Sequence, residues 1–396
     1  MRLSSRAKSI GASPTLALDA KTKKLISEGV DVVSFGVGEP DFDTPDHIKD
    51  AAIEAIKKGF TKYTASSGIP ELRQAICDKL KKDNGLDYKP AEILVSVGAK
   101  HSIFNAVMAL CEEGDEVLLP VPYWVSYPEM IRVAGGKPVE IKTGIETGFK
   151  VTAEQLEKAI TPRATLIILN SPSNPTGAIY TEEELRDIAE VCLRHNIAVI
   201  SDEIYEKLIY EGKHVSFAAL SPEVKAITVT VNGVSKSYSM TGWRIGYAAG
   251  PKDVIDAMAN LQSHSTSNPT SISQKAAVAG LTGPQEPLEK MRIEFEKRRN
   301  YMVKRLNEMP GFKCLLPPGA FYTYPDVSAL IGRKLAGKPV TDDSALADIL
   351  LDEARIAVVP GKAFGSNGNL RFSYATSMEA IEEGMNRLAK VLKTLE

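Results

Sequence analysis

The sequence predicts an α/β protein: a mainly parallel central sheet with flanking helices, followed by a smaller α+β domain. Three observations carry that expectation. Between about residues 69 and 250, apolar β-rich runs alternate with segments of helical period. Several of those runs are apolar almost throughout, as strands buried on both faces must be. From about Pro287 the texture changes, and a long charged helical stretch opens a second region.

Taken in order, strands are expected at 92–97, 116–119, 165–170, 198–201, 227–231 and 245–249. Helices are expected between them at 71–82, 102–111, 182–195 and 254–261. Thr181-Glu-Glu-Glu184 reads as a capping box, Thr181 capping the helix and Glu184 reaching back. The second region reads as helix 288–309, an irregular segment 311–325, helix 345–355, an extended run 356–360 and a final helix 378–395. The division is therefore 1–45 as an arm and part of the small domain, 46–286 as the large domain and 287–396 as the small one. No internal repeat or low-complexity tract interrupts it.

Composition excludes several classes. The 396 residues are 43% hydrophobic and 25% charged, which is ordinary globular usage and enough chain for one large core and a smaller one. A formal net charge of −2 leaves no electrostatic footprint for nucleic acid or an anionic membrane, so any anion site must be local. Cys77, Cys111, Cys192 and Cys314 are scattered, without C-x-x-C or zinc spacing, and read as small buried thiols in a reducing compartment. The stretch MRLSSRAKSIGASPT lacks the apolar core of a secretory signal, and no 18-residue apolar run exists. A soluble cytoplasmic protein is expected. The five histidines show no partner at catalytic or metal spacing, so no metal is expected.

Chemistry concentrates in a few segments. Val231-Asn-Gly-Val-Ser-Lys-Ser-Tyr-Ser-Met-Thr-Gly-Trp-Arg244 follows an apolar strand and sets Lys236 and Arg244 eight residues apart. A lysine just past a buried strand is poorly placed as a solvated charge; burial lowers its pKa and makes the amine nucleophilic toward an aldehyde. Arg244 offers a planar two-donor fork for a phosphate dianion. Taken alone, Lys236 favours the plainer reading, a turn with two exposed cations. Asp202, in Ser201-Asp-Glu-Ile-Tyr205, stands at the carboxyl end of a buried strand, where ligands of such sheets collect, although a helix cap is the alternative. Val97-Gly-Ala-Lys100 joins a strand to a helix, so Ala99 and Lys100 can offer N–H groups to phosphate while Gly98 permits close approach. Asn170-Ser-Pro-Ser-Asn-Pro-Thr-Gly177 is otherwise a Pro/Asn/Gly turn.

Together these segments resemble the class I/II aminotransferases, the fold type I enzymes that use pyridoxal 5′-phosphate (PLP). The S-K-x-x-x-x-x-G-x-R signature around Lys236 is the most specific match, and Gly36-Val-Gly-Glu-Pro-Asp-Phe-Asp-Thr-Pro45 matches the N-terminal signature. The resemblance runs from about Ser34 to Arg371. It implies that Lys236 binds the cofactor covalently and serves as the catalytic base. Asp202 would hold the pyridine nitrogen protonated, Tyr205 and Asn174 would meet the 3′-oxygen, and Trp124 would stack on the ring. Gly98, Ala99, Lys100, Ser235 and Arg244 would hold the phosphate, with Tyr63 of a neighbouring subunit, which implies a homodimer with shared sites. Gly233 stands where many relatives carry a phosphate-binding serine, so Ser235 takes that hydroxyl role. Arg371 would clamp the substrate α-carboxylate beside Gly38, with Asn174 and Trp124 also against the substrate. Val121–Pro122 and Asn174–Pro175 are the cis bonds the resemblance implies.

The motif set is most similar to the bacterial aspartate aminotransferase subgroup, in which Lys100, with Ser13 and Thr15, would read a distal carboxylate. Prephenate-using members carry a lysine in the N-terminal segment, which Ile10-Gly-Ala-Ser-Pro-Thr15 lacks. Transfer from L-aspartate to 2-oxoglutarate is expected; aromatic amino acids, alanine, prephenate, or a lyase or synthase reaction on the same fold are the alternatives. A dinucleotide-binding dehydrogenase would fit the strand–helix alternation but needs a glycine fingerprint that is missing.

Overall fold

The computed structural model describes residues 1–396. Its central sheet has seven strands: β1 (Ile93–Ser96), β2 (Glu116–Val121), β3 (Lys137–Lys142), β4 (Ala164–Asn170), β5 (Ala198–Asp202), β6 (Thr228–Gly233) and β7 (Gly246–Ala249). Their spatial order is β1-β7-β6-β5-β4-β2-β3. All neighbours are parallel except β7, which runs antiparallel to both β1 and β6. The carboxyl ends of β1, β2, β4, β5 and β6 and the amino end of β7 therefore meet at one edge, the place where such sheets bind ligands.

Six of these strands are the expected ones. The seventh, β3, escaped because Lys137-Pro-Val-Glu-Ile-Lys142 lies at the sheet edge and fully buries only Ile141, so its sequence stays charged. Helices Asp46–Lys57, Tyr127–Ala134, Ala153–Ala159 and Ser271–Thr282 were also not expected. The capping box at Thr181 forms as read, with Thr181 N–H donating to Glu184 and Glu184 N–H to the Thr181 hydroxyl. The helix expected from 102 begins three residues earlier, at Ala99, and that shift matters to the site.

Beyond residue 285 a 22-residue helix, Glu286–Asn307, packs over a three-stranded antiparallel sheet of Tyr322–Thr323, Leu370–Ser373 and Val359–Pro360. The extended run at 356–360 divides: Val359–Pro360 joins that sheet, whereas Ile356–Ala357 pairs in parallel with Val33–Ser34. This pairing draws the N-terminal region into the C-terminal core. Phe35 is fully buried there, its ring centroid 5.7 Å from that of Phe372. Burial of a side chain this size stabilises the fold by about 1.5–3 kcal/mol. The same core takes in Ile204, Tyr205 and Leu208, so the segment after β5 leaves the sheet and anchors in the second region. No helix is long and apolar enough to cross a membrane, and all four cysteines are free and buried.

Candidate active site

A cavity of about 510 Å³ opens where the sheet's ligand edge faces the C-terminal region. Lys236 stands three residues beyond the end of β6, on the cavity wall, and its Nζ donates to the Gly38 carbonyl. Burial lowers the ammonium to about 8; Glu39 opposes the shift, and the charges of Arg244 and Arg371 add to it. Such an amine is neutral in roughly a tenth of molecules at pH 7, far more than a solvated lysine.

Asp202 ends β5 and is 4% exposed. Loss of solvent raises its carboxyl to about 6, against hydrogen bonds that favour the ionised form. Those bonds come from the Tyr127 hydroxyl at 2.6 Å to Oδ2 and from the Ile204 N–H at 3.2 Å to Oδ1. Tyr127 is itself fully buried, edge-on to Trp124 with centroids 5.3 Å apart. Tyr205 turns its hydroxyl to that of Tyr322, 2.9 Å away.

At the other end of the cavity, helix Ala99–Leu110 opens on Gly98 at φ +87°, and no side chain caps it. The first-turn N–H groups of Ala99 and Lys100 have no acceptor within the helix and carry its positive dipole end. A Cβ on Gly98 would lie 2.3 Å from Arg244 Nη2, and one on Gly246 would lie 2.1 Å from the Ala99 nitrogen. Two glycines thus let strand, helix and guanidinium close into one cup, with Ser235 also on the wall. Arg244, in the left-handed region at φ +57°, is held by the carbonyls of Thr241 (2.8 Å) and Val97 (3.3 Å). Lys100 Nζ sits 4.8 Å from the Trp124 ring centroid, and burial followed by the charge of Arg244 lowers its ammonium.

Arg371, 3% exposed, donates to Asn174 Oδ1 at 3.0 Å and to the Gly36 carbonyl at 2.7 Å. Its guanidinium lies 4.5 Å from the Tyr322 ring centroid, and its buried Nε has no partner. Asn174 is fixed in turn through its N–H to Asn170 Oδ1 at 2.8 Å, while Asn170 donates to the Asp202 carbonyl at 3.0 Å. The bonds Val121–Pro122 and Asn174–Pro175 are cis, as is Ser171–Pro172.

The cavity brings together Thr15, Gly38, Ala99, Lys100, Trp124, Asn174, Asp202, Tyr205, Ser235, Lys236, Arg244 and Arg371, with Gly98 behind Arg244. Two residues stand apart. Ser13 caps helix Pro14–Ser27 and reaches the wall only through Thr15, 3.0 Å away. Tyr63 is 91% exposed and does not line the cavity of its own chain. Sequence reasoning missed Tyr127, Tyr322, Glu39 and Lys23, all on the wall. Thr15, Asp19 and Lys23 share one helix face at intervals of four, and that periodicity was the available signal. The fold also gathers His214 with Glu203 and Glu206, which lie close upstream in the sequence.

A mainly parallel sheet with a buried lysine, a buried carboxylate and a glycine-lined cup at its ligand edge fits the aminotransferase class of enzyme. The sequence model of the family "Aminotransferase class I and II" matches residues 30–388, and the chain belongs to that family, whose members use PLP. It is 55% identical over 394 residues to an aspartate aminotransferase of Geobacillus stearothermophilus, covering 99% of each chain. It is 52% identical over 379 residues to an aspartate/prephenate aminotransferase of Cereibacter sphaeroides, covering 95% of each. Among solved structures, the aspartate aminotransferase of Rhizobium meliloti superposes with a TM-score of 0.97 at 47% identity over all of both chains. That of Thermus thermophilus with maleate gives 0.93 at 44%, covering 99% of this chain and 100% of that one.

Proposed function

We propose that the enzyme moves the α-amino group of L-aspartate to 2-oxoglutarate, giving oxaloacetate and L-glutamate, on PLP held by Lys236. The observation that carries this reading is the alignment of four chemically distinct stations along one cavity: the Lys236 amine, the Asp202 carboxylate, the Gly98–Arg244 cup and the Arg371 clamp. The fit to PLP rests on the cup that glycine keeps open, and the unpaired Nε of Arg371 on the same cavity wall suits a substrate carboxylate. Ala99, Lys100, Ser235 and Arg244 would hold its phosphate, and Trp124, Tyr205 and Asn174 would bind its ring.

Bound there, PLP supplies an aldehyde for amine exchange and a pyridinium ring that takes up the electron pair left at Cα. The residues do the rest. Asp202 would be held ionised by a pyridinium placed against it and would in turn keep that nitrogen protonated. Arg371 grips the α-carboxylate and orients the Cα–H bond toward Lys236. Lys236 Nζ, once free, would take the Cα proton, carry it as an ammonium and give it to the carbon that the cofactor's aldehyde supplies. Lys100 and Thr15, with Ser13 behind Thr15, receive the distal carboxylate. The exposed Tyr63 reaches a partner subunit's phosphate, so the working unit is a homodimer, and four free thiols suit the cytoplasm.

Prephenate as a second amino acceptor is the alternative, favoured by Lys23 on the cavity wall two turns beyond Thr15. The test is a half-reaction series in which aspartate, glutamate, alanine and phenylalanine are each mixed with the PLP-loaded enzyme. Aspartate and glutamate should convert the cofactor from its aldehyde to its amine form fastest. Conversion by phenylalanine alone would overturn the substrate reading, and conversion by none would overturn aminotransfer.

A further inference from the structure

The two cofactor-facing residues of Asp202-Glu-Ile-Tyr-Glu206 are each followed by a buried carboxylate that points away from the cavity. Glu203 is 1% exposed, and its Oε1 accepts from the hydroxyls of Ser201 (2.8 Å) and Ser216 (2.9 Å) and from the Phe217 N–H (3.2 Å). Its Oε2 meets His214 Nε2 at 2.9 Å. Glu206 pairs with the buried Lys79 ammonium and accepts from Asn84 Nδ2 at 2.8 Å. Lys79 also donates to Asn84 Oδ1 at 2.6 Å. Carboxylates and imidazole lie within 4.8 Å of one another, a grouping that could ligate a metal, but the Lys79 ammonium already serves as the cation there.

Two buried carboxylates against one ammonium leave a negative charge that a dry interior does not tolerate, and His214 is the group placed to cancel it. We propose that His214 is a positioning residue of the cofactor site, held as an imidazolium that fixes Glu203 and balances the charge behind Asp202. The inference rests on the PLP reading given above. The groups facing the ring are Glu203, Glu206 and Lys79, with Asp83 4.0 Å from Lys79 and itself paired to Lys207. The Tyr88, Tyr238 and Tyr247 phenols pack nearby, kept neutral by burial. Burial works against the imidazolium, but the carboxylates outweigh it and the ring's pKa is raised. Its contribution to stability is therefore complete below the ordinary histidine value and is lost as pH climbs through the raised one. Without that charge, Glu203 acts uncompensated on Asp202, whose carboxyl it already pushes upward.

Two readouts test the proposal. In the unaltered cofactor-free protein, NMR titration of the His214 ring should find its midpoint above the ordinary histidine value. In the full-length protein, His214→Gln should weaken PLP binding roughly tenfold and displace the pH midpoint of the bound-cofactor absorbance by about one unit. Glu203→Gln combined with His214→Gln, a neutral pair of similar shape, should recover most of both. A ring that titrates at or below the ordinary value would overturn the proposal. So would His214→Gln lowering the melting temperature while leaving both cofactor readings unchanged. Should the single variant not fold, the double variant decides: near-normal cofactor readings support the charge-balance account, and readings as poor as those of Glu203→Gln alone overturn it. An unaltered protein that took up no PLP would overturn the underlying functional reading, whereas the ring titration judges the ion pair independently.

Discussion

At the scale of the residue, burial acts on Lys236 and Asp202 in opposite directions: the shift at Lys236 favours the nucleophilic amine, whereas Asp202 needs a cationic partner to stay ionised. Lys236 is brought down to about 8 and Asp202 up to about 6, so amine and carboxyl approach each other across neutral pH. Only the neutral amine attacks an aldehyde, and its fraction grows as pH rises through the lowered value. The rate of PLP uptake should therefore climb between about pH 7 and 9 with a midpoint near 8, followed by absorbance after mixing. A midpoint near that of a solvated lysine would contradict the burial account. Lys236 and Asp202 were legible because each follows an apolar strand and sits in a specific motif. Tyr127 was not, since a tyrosine one helical turn after Trp124 reads as core until the fold turns its hydroxyl to Asp202. His214 was invisible for the same reason, because its partners Glu203 and Glu206 meet it only through the loop that follows them.

At the scale of the element, the decisive junction is the one from β1 into helix Ala99–Leu110. Its glycine was readable as a phosphate turn, but the helix start was set three residues late, because Ala99-Lys-His101 carries no cap residue to mark it. The missing cap leaves the first-turn N–H groups for a ligand. Gly98→Ala would place a Cβ 2.3 Å from Arg244 Nη2 at a backbone angle that favours glycine. It should weaken PLP binding by roughly tenfold or more, read by equilibrium titration with the cofactor-free enzyme. Unchanged affinity would mean that the cup is not the phosphate site. The edge strand β3 shows the reverse limit: a strand that buries one side chain leaves little apolar period to read.

At the scale of the whole molecule, alternation of strand and helix was enough to foresee the large domain's sheet. It could not show how the N-terminal region pairs, since two residues, Val33–Ser34, find their partner more than three hundred residues later. That long-range pairing carries Gly36 and Gly38 to Arg371 and Lys236. The second long-range contact we propose lies between subunits. Tyr63 is exposed and stands off the active-site cavity of its own chain, so Tyr63→Ala should lower cofactor affinity without altering the fold, and light scattering should give the mass of two chains. A monomer with unchanged affinity would refute the shared site. The central claim, that Lys236 carries the cofactor, has the most direct test. The PLP-loaded protein is reduced with borohydride, digested and mapped by mass spectrometry. The account predicts one modified peptide, bearing the cofactor on Lys236, and none from Lys236→Ala; attachment at another lysine, or none in the unaltered protein, would contradict it.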